Sequence, residues 1–181
     1  SKVYSAQTDL INKYIIDVIK ILKLKNIDDY FFVFCGSDKG NQNYIKKLVS
    51  DNNLDNYVRI FNFLDDNQVI SLYLNCNALV MPTYLGPSNI PPLEAFAYET
   101  PVCYPDFLFN KEEFNDAVIY MNLKDENTLV ETLFKIKNDN LIRNKKIKSG
   151  KEFLRKWSDE DFYQKLIYEF NNFKKISECW K

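Results

Sequence analysis

The residues with the most chemical promise lie between positions 78 and 104, which read ALVMPTYLGPSNIPPLEAFAYETPVCY. A run of Gly86, Pro87, Ser88 and Asn89 leads through Ile90 into Pro91-Pro92, and proline at the first position of a helix loses no hydrogen bond. The spacing predicts a short helix over 92–98, ended by Pro101. A polar loop feeding a helix start leaves backbone N–H groups unpaired and a positive dipole end exposed, a suitable seat for a diphosphate. Glu94 is expected in the first turn. An acid there is favoured by the helix dipole whatever the ligand, or it accepts hydrogen bonds from the vicinal hydroxyls of a ribose, which needs an acceptor-only group held beside the phosphate seat. Position does not choose between the two.

The elements that must hold these residues alternate. Residues 3–6 are expected to open the chain as a strand, with Thr8-Asp9 as caps for a helix whose apolar residues run from Leu10 to Leu22. Residues 30–35, 58–61, 78–81, 102–104 and 118–121 read as strands, the first of them as a strand buried on both faces. Helices are expected over 43–51 and 66–74, then over 126–137, 141–156 and 159–175 after strands cease. Strands alternating with helices imply an α/β fold, a single domain built on an open, mostly parallel Rossmann-like sheet of about six strands with helices on both faces and the C-terminal helices flanking it. Ligands in such sheets bind beyond the carboxyl ends of the strands. Gly36, Gly40 and Gly86, three of the four glycines, fall in those loops.

Composition excludes several classes. Hydrophobic residues make up 46% of 181 positions, enough to bury a core. A net charge of -1 supplies no basic field for nucleic acid. No histidine is present, which removes Ser-His-Asp and Cys-His nucleophiles and histidine-based zinc sites. Asp28-Asp29 and Asp65-Asp66 read as turn and cap residues rather than a metal seat, so no metal is expected. Cys35, Cys76, Cys103 and Cys179 lack paired spacing and read as free, buried thiols. No run of about 18 apolar residues could span a bilayer and no secretory signal opens the chain, so the expected compartment is cytoplasmic. Nine Lys or Arg against two acids lie between 135 and 156, a local excess suited either to a solvated face or to the inner face of the plasma membrane.

The stretch from Pro82 resembles the donor-site signature of the family-4 retaining glycosyltransferases, usually Pro-Ser, two variable residues, then Glu-Gly-Phe-Gly-Leu-Pro-Pro-Leu-Glu-Ala. Pro82, Thr83, Pro91, Pro92, Leu93, Glu94 and Ala95 fall in register. Thr100-Pro101-Val102 is similar to that family's Gly-Thr-Pro-Val strand entry, and residues 58–64 (VRIFNFL) resemble its Val-Arg-Phe-Leu-Gly-Tyr-Val. The resemblance, spanning about 30–168, implies the C-terminal, donor-binding domain of the two-Rossmann-domain GT-B architecture, with an acceptor-binding N-terminal domain outside these residues. It implies transfer of a hexose, with retention, from UDP-sugar or GDP-sugar to a polysaccharide or lipid-linked glycan, with no metal and no other cofactor. The isolated domain is then expected to bind nucleotide without catalysing transfer.

On that resemblance Glu94 binds ribose, and Pro87, Ser88, Asn89 and Ile90 with the N–H of Leu93 lie near the diphosphate and sugar. Phe63 and Leu64 border the base, and Gly36 and Ser37 line the diphosphate side. Gly86 stands where the family carries a sugar-contacting Glu, as in a polysaccharide-forming sub-group that reads Gly-Pro-Thr-Asn-Ile-Pro-Pro-Leu-Glu-Ala; Asn89 then contacts sugar hydroxyls, and Gly86 and Asn89 are the catalytic-side candidates. The family's Arg after the first strand is replaced by Gln7. Its following Lys finds Asn12 in register and Lys13 one place away, leaving Lys13 as the candidate to balance diphosphate charge. The absent Glu and Arg favour the alternative of a non-catalytic sugar-nucleotide or protein-interaction domain of the same fold. A nucleotide-sugar 2-epimerase would share Glu94 but needs histidine motifs this chain lacks.

Overall fold

Strand and helix alternate along the chain, in a computed structural model that describes residues 2–27, 29–36, 41–84, 90–156, 164 and 167–173, with residues 2–12 described through their backbone. The elements are α1 (Lys2–Leu24), β1 (Phe32–Cys35), α2 (Gln42–Asp51), β2 (Val58–Phe61), α3 (Asp66–Asn75), β3 (Leu79–Val80), α4 (Ile90–Ala97), β4 (Val102–Pro105), α5 (Leu108–Phe114), β5 (Ile119–Met121), α6 (Glu126–Asn138) and α7 (Asn140–Arg155). A single 3-10 turn, Asn115–Ala117, joins α5 to β5. Residues 167–173 are also helical.

All strand pairs among the described residues are parallel. β1 pairs with β2, Phe32 opposite Val58, and β4 lies between β3 and β5, with Leu79 opposite Val102 and Cys103 opposite Ile119. Pleating divides the three-stranded sheet cleanly between two cores. Val80, Cys103, Ile119 and Met121 point into a cluster with Ile16, Ile19 and Leu22 of α1 and Leu129 and Leu133 of α6. Leu79, Val102, Tyr104 and Tyr120 point to the other face, among Tyr73 of α3, Phe96 of α4, Phe114 of α5 and Phe153 of α7. Side chains that alternate sides in a strand thus bury both faces.

Three sequence expectations need correction. Residues 3–6 are not a strand, and Thr8-Asp9 do not cap a helix; both lie inside α1. No glycine precedes Gly36 and no proline precedes Pro82, so nothing between Lys2 and Leu10 interrupts the helical period, and local β preference is the weaker force. Five strands in two sheets, rather than about six in one, follow among the described residues. Nor is β1 buried on both faces. Phe32 and Phe34 face the α1 core, whereas Val33 and Cys35 are exposed, as are Arg59 and Phe61 beside them on β2. A continuous apolar run does not reveal whether a layer covers its second face.

Three helix starts, those of α3, α6 and α7, are capped by aspartates. Asp65 caps α3 by accepting from the Gln68 N–H at 2.9 Å while Gln68 Oε1 accepts from the Asp65 N–H at 3.0 Å, a reciprocal capping box. Asp125 and Asp139 accept from the first N–H groups of α6 and α7. Asp29 instead pairs with Lys137. No described helix is long and apolar enough to cross a membrane.

Cys35, Cys76 and Cys103 are free, but only Cys103 is buried; Cys76 is half-buried and Cys35 exposed, and Cys179 lies outside the described residues. Burial pushes the Cys103 thiol up to about 12, so it carries almost no reactive thiolate at mildly alkaline pH. Alkylation followed by peptide mass mapping is expected to label Cys35 before Cys76, and Cys103 only on unfolding. Equal labelling rates would show that β4 is not the closed centre of its sheet.

Candidate functional site

Within each sheet the strands run the same way, so the loops after their carboxyl ends gather along one edge. The Gly36 N–H donates to the Phe61 carbonyl at 3.2 Å, which sets the end of β1 beside the loop of Asn62, Phe63 and Leu64. Gly36 has φ 153° and open space where a Cβ would stand, so its backbone angle, not crowding, asks for glycine. Phe63 is 81% exposed, Leu64 is half-buried, and the capping box at Asp65 ends their loop.

α4 already includes Ile90, two residues before the expected start. The helix accepts Pro91 and Pro92 in its first turn because neither position needs an N–H there. In that turn Ile90 and Leu93 keep a backbone N–H where Pro91 and Pro92 have none. Ile90 is exposed and Leu93 half-buried. The earlier start moves Glu94 past the first turn, and the dipole's preference for an acid fades beyond that turn. The bland explanation for this carboxylate weakens accordingly.

Glu94 is exposed and makes no ion pair among the described residues. Its Oε2 accepts a hydrogen bond from the Tyr73 hydroxyl at 3.0 Å. Burial first, then the charge of Glu94 and the bond to it, push the Tyr73 phenol well above its usual range, so the hydroxyl stays protonated and donates. Tyr73 is only 9% exposed. Its ring stacks on Tyr98 at 5.9 Å and 10°, and its carbonyl accepts from the Thr100 hydroxyl at 2.6 Å. Thr100, noted in the sequence only as part of a strand entry, thus ties α3 to the joint between α4 and β4.

The underside of α4 is apolar. Ala95 and Phe96 are buried, and Phe96 meets Phe114 edge-on at 6.4 Å and Phe153 at 5.7 Å. Burying a side chain of that size contributes about 1.5–3 kcal/mol, which anchors the helix while its upper face stays open. Gly150 of α7 passes directly beneath the Phe96 ring.

Lys13 lies exposed on α1 with its ammonium 2.7 Å from Asp17, whose bond and charge raise its pKa. Gly86, Pro87, Ser88, Asn89 and Ser37 lie outside the described residues, as do the side chains of Gln7 and Asn12. Among the described residues no three His, Cys, Asp or Glu side chains are grouped as a metal site would require. The basic stretch is partly engaged within the fold: Lys137 pairs with Asp29, Lys146 donates to the carbonyls of Asp116 and Val118, Lys151 pairs with Glu99, and Arg143 donates to the Asn77 carbonyl.

Two features escaped sequence reasoning. Tyr73 sits 21 residues before Glu94 as one apolar position of a helix, with no local sign of its partner. α5 breaks no periodic rule but is short. It carries Phe109, which stacks on Phe107 at 5.6 Å, and Phe107 stacks in turn on Tyr84 beyond β3 at 5.6 Å.

Residues 6–153 match the family Glycosyl transferases group 1. No curated protein sequence matches the chain. Among solved structures, sucrose-phosphate synthase from Thermosynechococcus elongatus superposes with TM-score 0.70 at 19% identity, over 91% of this chain and 42% of that one. TarM gives TM-score 0.74 at 18% identity over 87% of this chain and 32% of its own. The C-terminal domain of the glycosyl transferase group 1 family protein LpcC from Francisella tularensis gives TM-score 0.62 at 20% identity, over 80% of this chain and 77% of that domain. The chain therefore spans less than half of the first two proteins, and at these identities the likeness is one of fold.

Proposed function

Because the chain belongs to the group 1 glycosyl transferases, with a GT-B-type Rossmann-like fold, we propose that it is the donor-binding domain of a family-4 retaining hexosyltransferase. The donor is a UDP-sugar or GDP-sugar and the acceptor a polysaccharide or lipid-linked glycan, carried on a further domain of the protein. The observation that carries the reading is an exposed carboxylate, Glu94, held by a buried phenol one turn into a proline-led helix.

Glu94 accepts from the ribose hydroxyls through an oxygen left open to solvent. The pyrophosphate lies against the amide end of α4 at Ile90 and the preceding residues Pro87, Ser88 and Asn89, with Gly36 and Ser37 on its other side and Phe63 and Leu64 bordering the base. Oriented amides in a partly dry cleft stabilise the charge that develops on the departing diphosphate. Lys13 adds a cation by exchanging Asp17 for phosphate, and no metal takes part. The hexose leaves the diphosphate oxygen for an acceptor hydroxyl with its anomeric configuration kept.

Calorimetric titration of UDP, GDP and their sugars into the chain is expected to show saturable binding of one base family, weak because the cleft has only one wall. Absence of saturable binding by every nucleotide would sink the donor reading. It would favour the alternative of a non-catalytic interaction domain, which the glycine at position 86 already motivates.

A further inference from the structure

We propose that Tyr73 is the positioning residue for the ribose, a role that rests on the donor-site reading of Glu94. The Tyr73 hydroxyl donates to Glu94 Oε2 at 3.0 Å, which occupies one carboxylate oxygen and leaves Oε1 without a partner among the described residues. A glutamate on an exposed helix face samples several rotamers, and a ligand that needs one of them must first select it. Tyr73 removes that search because it is itself immobile. Its ring is buried and stacked on Tyr98, and its main chain is held by the Thr100 hydroxyl at 2.6 Å.

The direction of the bond matters. A protonated phenol gives a hydrogen bond and cannot take one from the carboxylate, so the remaining acceptor capacity of Glu94 turns to the two neighbouring hydroxyls of a pentose. A bond to an ionised acceptor is also among the stronger kinds, so it holds in an exposed setting. Tyr73 thus acts through Glu94, touching no ligand atom, and its contribution is confined to ligands that carry the ribose hydroxyls.

The test uses Tyr73→Phe, which keeps the ring, the stack on Tyr98 and the Thr100 bond. Binding of the preferred ribonucleoside diphosphate and of its 2′-deoxy and 3′-deoxy counterparts is measured for wild type, Tyr73→Phe, Glu94→Ala and the double variant, with thermal unfolding as a check on the fold. Tyr73→Phe is expected to weaken ribonucleotide binding about three- to tenfold, to leave the deoxy ligands nearly unchanged, and to have no effect in the Glu94→Ala background. An unchanged ribo-to-deoxy ratio, equal losses for all ligands, or the same loss without Glu94 each overturns the positioning role while the donor site stands. If the wild-type chain binds no nucleotide, or binds it indifferently to Glu94→Ala, the donor reading itself fails and takes this role with it.

Discussion

Glu94→Ala is expected to lower affinity for the preferred nucleotide by about ten- to a hundredfold while thermal unfolding moves by only a few degrees. Hydrogen bonds to an ionised group contribute about 1.5–3 kcal/mol, and each 1.4 kcal/mol is about a factor of ten. Glu94 is exposed and its one described side-chain bond is to Tyr73, so removing it opens no cavity beneath α4, whose packing rests on Pro92, Ala95 and Phe96. Binding by calorimetry and unfolding by circular dichroism read the two quantities separately. Affinity within twofold of wild type would mean that the ribose does not sit here. On the proposed donor reading, the same substitution in a longer protein that carries the acceptor domain is expected to remove transfer with the fold intact.

Gly150→Ala should destabilise the chain, against the usual rule that alanine improves a helix interior by about 1 kcal/mol over glycine. A Cβ at position 150 would lie 2.5 Å from Phe96 Cδ1 and 3.1 Å from its Cε1 and Cγ. The Phe96 ring has little room to yield: it is 3% exposed and wedged between Phe114 and Phe153. Overpacking a closed core costs about 1–3 kcal/mol, enough to reverse the helix gain and lower the unfolding temperature by several degrees. Because Phe96 lies two residues after Glu94 on α4, the strain should weaken nucleotide binding as well. Relief in Gly150→Ala with Phe96→Leu would identify the ring as the cause, and a more stable Gly150→Ala would refute the close packing of α7 on α4.

Much of the layout could be read in advance because it depends on neighbours in the chain. Asp65-Asp66, read as cap residues, mark the start of α3, and Pro101 marks a limit for α4. The five short strands from β1 onward announce themselves by apolar runs bounded by polar turns. Glu94 stood out because Pro91-Pro92 before it and the glycine-proline-serine loop before them define a helix mouth in one dimension.

What escaped such reading depends on distance in space. Residues 3–6 have strand-like composition, but a helix already under way extends through them because nothing there breaks it. Val33 and Cys35 look like core from their neighbours, yet whether a second layer covers β1 is settled by where distant helices pack. The bond from Tyr73 to Glu94 and the clearance between Gly150 and Phe96 join residues 21 and 54 positions apart. Periodicity carries which face of an element is apolar; only the folded chain decides what that face meets, because contact is a property of packing and not of order along the backbone.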